Sequence, residues 1–305
     1  MGRLIFWRLL QLPVILVIVF LITFTLAWVV PGNPLERPGG RQPSEAVQQQ
    51  MKEKYNLHSP WAFLQGYVYN VFTRGDFGPS LKQGRSVNAI ISQTLPVSAK
   101  LGVLALGVAL VLGTIAGVLG ALKPGSPLDL SSLALALVGI SLPNFVTGSI
   151  LLAIFAGLLN WFDIGYGGGP SVLVLPAITL GIMPAAYIAR LIRLGLADVM
   201  ATDYIRTARA KGLTRNQALF RHALKVAFLP VLSFLGPAAA HVMTGSFVVE
   251  EVFNIPGIGE HFVGAVINKD QFLILGIVLV YATMLICFNL IVDVAYAWFD
   301  PRIKY

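Results

Sequence analysis

Apolar runs of about 20 residues or more, each ended by charge, proline or glycine, predict six membrane-crossing helices at about 9 to 30, 95 to 121, 130 to 158, 172 to 196, 227 to 249 and 273 to 298. A hydrocarbon layer of about 30 Å needs about 20 apolar residues per helix, and a helix pairs its own backbone where no water can. The first run follows Arg3 and Arg8. It is longer than a signal peptide's apolar stretch, and Val29-Val30-Pro31-Gly32 offers no small-x-small cleavage site, so a retained helix is expected. Three parts follow: a first helix at 1–30, a helical segment at 31–94, and a core of five helices at 95–305 with a polar insert at about 197–226.

The segment after the first run is polar and marked by Pro31, Pro34, Pro38 and Pro43. Ser44 can cap a helix whose Val47, Met51 and Tyr55 recur every four residues on one face, which predicts a small helical cap outside the bilayer. Within the runs, Gly113 and Gly117 form a Gly-x-x-x-Gly pair that lets helices approach closely. Pro143, Pro176, Pro184 and Pro230 are expected to bend helices, for packing before any role in shaping a passage.

Composition agrees. Of 305 residues, 56% are hydrophobic and 12% charged, about half the charge of a soluble domain. So little charge cannot cover a surface facing water. The formal charge of +8 does not indicate nucleic acid, because the basic residues lie in short loops between apolar runs, where they set topology. Arg190, Arg193, Arg206, Arg209, Lys211, Arg215, Arg221 and Lys225 are assigned to the segment between the fourth and fifth runs, while the preceding loop carries neither Lys nor Arg. Lys and Arg collect on the cytoplasmic side, so both termini are expected there and 31–94 outside, which also puts Arg3, Arg8, Lys123, Arg302 and Lys304 inside. The single cysteine, Cys287, lies in an apolar run and is expected to be a small buried hydrophobe.

No catalytic constellation is present in the sequence. His58, His222, His241 and His261 are far apart, with no Cys or carboxylate at metal-ligand spacing, so no metal is expected. Gly165-Tyr166-Gly167-Gly168-Gly169-Pro170 fits neither phosphate-loop pattern and is expected to be an outer turn. Without a Walker A motif the chain has no usual route to nucleotide hydrolysis, and no cofactor of its own is expected. An ion-driven carrier usually keeps carboxylates near the bilayer middle. Here Glu250 and Glu251 end the fifth run, Asp293 lies near the end of the sixth, and His241 alone is near the middle, which leaves such a carrier as the alternative class.

The insert before the fifth run is the most specific part. Thr202 or Asp203 can cap a helix over Tyr204-Ile205-Arg206-Thr207-Ala208-Arg209-Ala210-Lys211, with Gly212 as its stop. Thr214 and Gln217 then match a capping box opening a second helix. Tyr204, Ile205 and Ala208 share a narrow apolar face, and Arg206 and Arg209 adjoin on another. Such a projection suits docking to a soluble motor; the alternative is a basic loop on anionic lipid head groups.

At these residues the chain resembles the permeases of binding-protein-dependent ABC importers, whose cytoplasmic loop carries a Glu-Ala-Ala triplet ahead of a glycine, with Ile-x-Leu-Pro beyond. Gly212 fits the glycine and Ala208 the second alanine, whereas Arg206 stands at the Glu place, Thr207 at the first Ala, His222 at the Ile and Lys225 at the Pro. That form is similar to the peptide and nickel branch, as are Asp203 to Leu213, Arg221-His222-Ala223-Leu224 and Leu229-Pro230. Pro31-Gly32-Asn33-Pro34, Gly75-Asp76-Phe77-Gly78-Pro79-Ser80, Leu95-Pro96-Val97-Ser98-Ala99-Lys100-Leu101-Gly102, Ile255-Pro256-Gly257-Ile258-Gly259 and Asp300-Pro301-Arg302 look like the B-type permease of oligopeptide and dipeptide importers, the oligopeptide branch above all.

The resemblance implies an all-α membrane protein with six transmembrane helices of the type I importer fold and a helical cap after the first. It implies a complex with a second homologous permease, two ATPase subunits that bind ATP and Mg, and an extracytoplasmic peptide-binding protein, in the inner membrane. The coupling helix toward the ATPases would be Tyr204, Ile205, Arg206, Thr207, Ala208, Arg209, Ala210 and Lys211 with Gly212. His241, Thr244, Ser246, Glu250 and Glu251 are the expected substrate-path residues, since polar groups of the fifth run would otherwise meet lipid. Nickel or another small solute is the alternative cargo within this class.

Overall fold

The computed structural model describes residues 2–36, 43–163, 165, 167 and 169–299. Pro38, Tyr166, Gly168, Asp300, Pro301, Arg302 and Lys304 of the sequence reading lie outside the described residues. The described chain is helical, with one isolated antiparallel bridge between Pro79 and Ser86. In order the helices are α1 (Gly2–Val29), α2 (Glu45–Lys54), α3 (Pro60–Arg74), α4 (Val87–Leu122), α5 (Pro127–Ser141), α6 (Asn144–Leu151), α7 (Val174–Met200), α8 (Asp203–Ala210), α9 (Arg215–Ala218), α10 (Leu224–Ala227), α11 (Leu229–Val252), α12 (Ile258–Asn268) and α13 (Gln271–Phe299).

Among the described residues, four helices are long and apolar enough to cross a membrane, and up to six crossings result if each of two bent pairs counts as one. The run predicted at 130–158 is not one straight helix. It breaks at Leu142-Pro143, where α5 and the segment Asn144–Leu158 meet at 111°, because proline donates no backbone N–H and clashes with the preceding turn. Pro176 instead lies in the first turn of α7, where a missing N–H costs nothing. Pro230 lies in the first turn of α11, beside the 47° bend between Arg215–Ala227 and Leu229–Thr244. Pro184 lies inside α7. Arg190 and Arg193, counted above with the polar insert, also belong to α7. Cys287, expected to be buried, is exposed among the described residues.

The chain forms two compact units. The first is built on Ala99–Ile255, with α7 at its centre packing α5, α6, α11 and the residues between α9 and α11. Leu180, Ile188, Ile192 and Leu196 of α7 are fully buried. Lipid tails are as apolar as leucine, so membrane helices associate through close packing. The Gly113 and Gly117 pair works as expected: an added Cβ would stand 2.6 Å from the Ala185 carbonyl oxygen and 2.7 Å from that of Ala189. From the other side, a Cβ on Gly181 would stand 2.8 Å from the Ala105 carbonyl oxygen. Backbone cannot move aside as a flexible side chain can.

The second unit is built on Trp7–Ser98 and Pro256–Ile286. Phe24, Phe63, Tyr67 and Phe272 form an aromatic cluster with centroids 5.0 Å apart for Phe63 and Phe272 and 6.1 Å for Phe24 and Phe63. Ser44 caps α2 through the Val47 N–H as expected, but Val47 is exposed, and it is Tyr55 that packs edge-on against Phe272. The Gly75 to Ser80 motif serves this unit. Ser80 Oγ donates to buried Asp270 at 2.5 Å, and Asp270 also accepts from the Leu273 N–H in the first turn of α13. Gly78, at φ +85°, has no room for a Cβ beside the Phe272 ring. Ser98 Oγ accepts from the Ile258 N–H at 2.9 Å, which joins two of the motifs quoted above.

Leucine at Gly113 or Gly117 would force α4 off the backbone of α7, at a cost of about 1 to 3 kcal/mol. The expected result is a lowered thermal midpoint in detergent for both variants and no change for Gly107→Leu, where no atom lies within 4 Å of the added carbon.

Candidate functional site

α8 forms where the sequence predicts it, two residues after α7 ends, with Thr202 in the N-cap position at φ −75° and ψ 156°. Its hydroxyl does not cap the helix and donates instead to the Val199 carbonyl at 2.6 Å. Gly212 terminates the turn at φ +97°, a region that a side chain strains, and nothing lies within 4 Å of the position its Cβ would take. The capping box is formed in both directions: Gln217 N–H donates to Thr214 Oγ1 at 3.3 Å and Thr214 N–H to Gln217 Oε1 at 2.9 Å.

The apolar face of α8 divides in two. Ile205 is 1% exposed and belongs to one cluster with Ile188, Ile192 and Leu196 of α7, Ala218 and Leu219, and Ala227 and Val231. Ala208 is half-buried, and Tyr204 is exposed with its ring edge-on to His222 at 6.5 Å. Burial pushes the Tyr204 phenol up, so it remains a neutral hydroxyl at physiological pH. Arg206 pairs with Asp203 at 3.0 Å, both well exposed, and such a pair contributes about 0.5 kcal/mol or less. Arg206, Thr207, Arg209, Ala210, Lys211 and Gly212 are all exposed. The helix is therefore anchored through Ile205 and presents its remaining surface.

The five residues expected along a path do not share one face. On α11, His241 is half-buried while Thr244, Val248 and Glu251 are exposed along the same stripe, continuous with Ser233 and Pro237. Ser246 and Glu250 point the other way and are 2% and 1% exposed. The Ser246 hydroxyl donates to the Met243 carbonyl, and Thr244 Oγ1 to that of Ala240, so neither hydroxyl requires water. Among the described residues the Nε2 atom of His241 is buried without a hydrogen-bond partner. His58 is exposed, and His261 hydrogen bonds Gln83 at 3.0 Å. Among the described residues no three His, Cys, Asp or Glu side chains gather as a metal site would need.

The family model of the binding-protein-dependent transport system inner membrane component matches residues 109–305. The chain belongs to that family. The permease is 38% identical over 305 residues to a dipeptide transport system permease protein, DppB, of Bacillus subtilis strain 168, covering 100% of this chain and 98% of the relative. It is 39% identical over 309 residues to the oligopeptide transport system permease protein OppB of Haemophilus influenzae, covering 100% of both. With OppB of Escherichia coli K12 it shares 40% over 294 residues, 95% of each chain. In fold it is similar to a chain of the inward-facing MetNI methionine ABC transporter, with TM-score 0.57 and 17% identity over 69% of this permease and 96% of that chain.

The sequence reading missed the ion pair between Asp129 at the start of α5 and Arg193 of α7. Two guanidinium nitrogens donate to the carboxylate, the second at 2.8 Å, and Asp129 also accepts from the Gly125 N–H at 2.8 Å. A carboxylate three residues after Ser126, in the first turn of an apolar helix, was the available signal.

Ile205→Ala should loosen α8 from the permease at a local cost of about 2 to 5 kcal/mol. Hydrogen exchange of 203–212 is expected to accelerate in this variant and to stay unchanged in Arg206→Ala.

Proposed function

We propose that this permease pairs with a second, homologous permease and forms with it the passage for oligopeptides or dipeptides handed over by an extracytoplasmic binding protein. The observation that carries this reading is end-to-end similarity, at 38 to 40% identity, to permeases named for oligopeptide and dipeptide transport. Two ATPase subunits, which bind ATP and Mg, supply the energy. The permease does no covalent chemistry, in keeping with a sequence that has no phosphate-loop motif.

α8 and Gly212 are the coupling element in this reading. ATP-driven closure of the motors draws the coupling helices together and changes which side of the membrane the passage opens to. Ala208 and Tyr204 meet the ATPase groove, while Ile205 transmits the push to α7. The face of α11 bearing His241, Thr244 and Glu251 looks toward the passage or the partner permease, because a stripe of exposed Ser233, Thr244 and Glu251 beside half-buried His241 is poorly suited to lipid. Ser246 and Glu250 support that helix from behind.

A tryptophan at Ala208 should overfill the docked contact by about 1 to 3 kcal/mol, so the ATPases should no longer co-purify, while Arg206→Ala and Arg209→Ala retain them. A lipid-contact role for α8 predicts the reverse ranking. Both termini are cytoplasmic in this reading. In a Cys287→Ser background, Gln65→Cys should react with an impermeant thiol reagent from outside and Asn216→Cys should not; the reverse would invert the orientation.

A further inference from the structure

We propose that the groove between α4, α5 and α7 holds one anionic phospholipid, its acyl chain lying in the groove and its phosphate meeting Arg190. The groove is a cavity of about 330 Å³ bordered by Ala116, Leu133, Ala136, Ile140, Ala189 and Leu194, with Arg190 and Arg193 at its edge. The two arginines differ in one decisive way. Arg193 is held bidentate by Asp129, which neutralises it. Arg190 is exposed and makes no hydrogen bond or ion pair among the described residues.

Depth places Arg190 within reach of a phosphate. The turn at Lys123 to Ser126 that leads into α5 is exposed over Lys123, Pro124 and Gly125, and Asp129 lies in the first turn after it. The sequence Lys123-Pro124-Gly125-Ser126 is the polar break between the apolar helices α4 and α5, so Arg193, paired with Asp129 just after it, is placed near the edge of the bilayer, and Arg190 lies about 4.5 Å deeper along α7. An arginine at that depth extends its guanidinium back toward the head groups. A basic residue at the mouth of an apolar groove between membrane helices has the chemistry of an anionic head-group site. Between its leucines and isoleucine the wall carries small residues, Ala116, Ala136 and Ala189, which leave width for a methylene chain.

The test uses the full chain with its co-purifying subunits, delipidated in neutral detergent and titrated with phosphatidylglycerol or phosphatidylcholine, bound lipid being counted by native mass spectrometry. The wild type should retain one phosphatidylglycerol that phosphatidylcholine and soluble glycerol phosphate do not displace. Arg190→Gln should weaken it about fivefold, as expected for one basic contact. Arg190→Lys should keep most of it, and Ala136→Trp should abolish it by filling the groove. Arg209→Gln, on the polar insert, should match the wild type. Equal retention by Arg190→Gln or by Ala136→Trp would overturn the proposal. So would a cross-link from Leu194→Cys to a second permease chain in native membranes, which would make the occupant a protein. If Arg190→Gln does not assemble, the Lys and Trp variants still decide the matter.

Discussion

Backbone-to-backbone approach at α7 is the constraint on which the first unit rests. In the bilayer, apolar side chains gain little by leaving lipid for protein, so helices hold together only where surfaces fit. Gly113 and Gly117 bring α4 onto the carbonyls of α7, and Gly181 receives α4 in return. That contact sets the position of every buried residue along α7. The buried face of α7 interlocks with α4, α5, α6 and α11.

The same apolar cluster continues from α7 into the polar insert. Ile188, Ile192 and Leu196 of α7, Ile205 of α8, and Ala218, Leu219, Ala223, Ala227 and Val231 on the way into α11 belong to one buried cluster. α8 therefore shares its buried contacts with both α7 and α11, and it begins two residues beyond Ala201. Gly212 and the Thr214–Gln217 box fix the return path. The second unit is stabilised by different means, an aromatic cluster and the buried Asp270 that joins the Gly75 to Ser80 loop to the start of α13.

Much of this was legible along the chain, wherever the signal is local. Apolar length located α1, α4, α7 and α13; Gly212 and the capping box delimited α8 and α9 because caps are chosen by their own few residues. α12 was not anticipated, and α3 was not drawn as a separate helix within the segment 31–94 expected to be helical. They are short, with no apolar run of membrane length, although Ser59 before Pro60 was a start signal for α3. The division of α11 into a stripe of His241, Thr244 and Glu251 and an opposite side with Ser246 and Glu250 follows from helical spacing alone and could have been drawn in advance. What no local pattern carries is which partner covers a face. Ile205 and Ala208 look alike on a helical wheel, yet only the fold buries the first against α7, and only the fold brings Asp129 to Arg193 across 64 positions.

The account turns on α8 being the surface through which ATPases act on the permease. Cysteine placed at Ala208 in a Cys287→Ser background, carrying a short photoreactive cross-linker, tests this in native membranes without purification. The account predicts a cross-link to an ATPase subunit whose yield changes on adding ATP. Cross-linking to lipid alone, or an ATPase adduct from Gln65→Cys and none from Ala208→Cys, would contradict it.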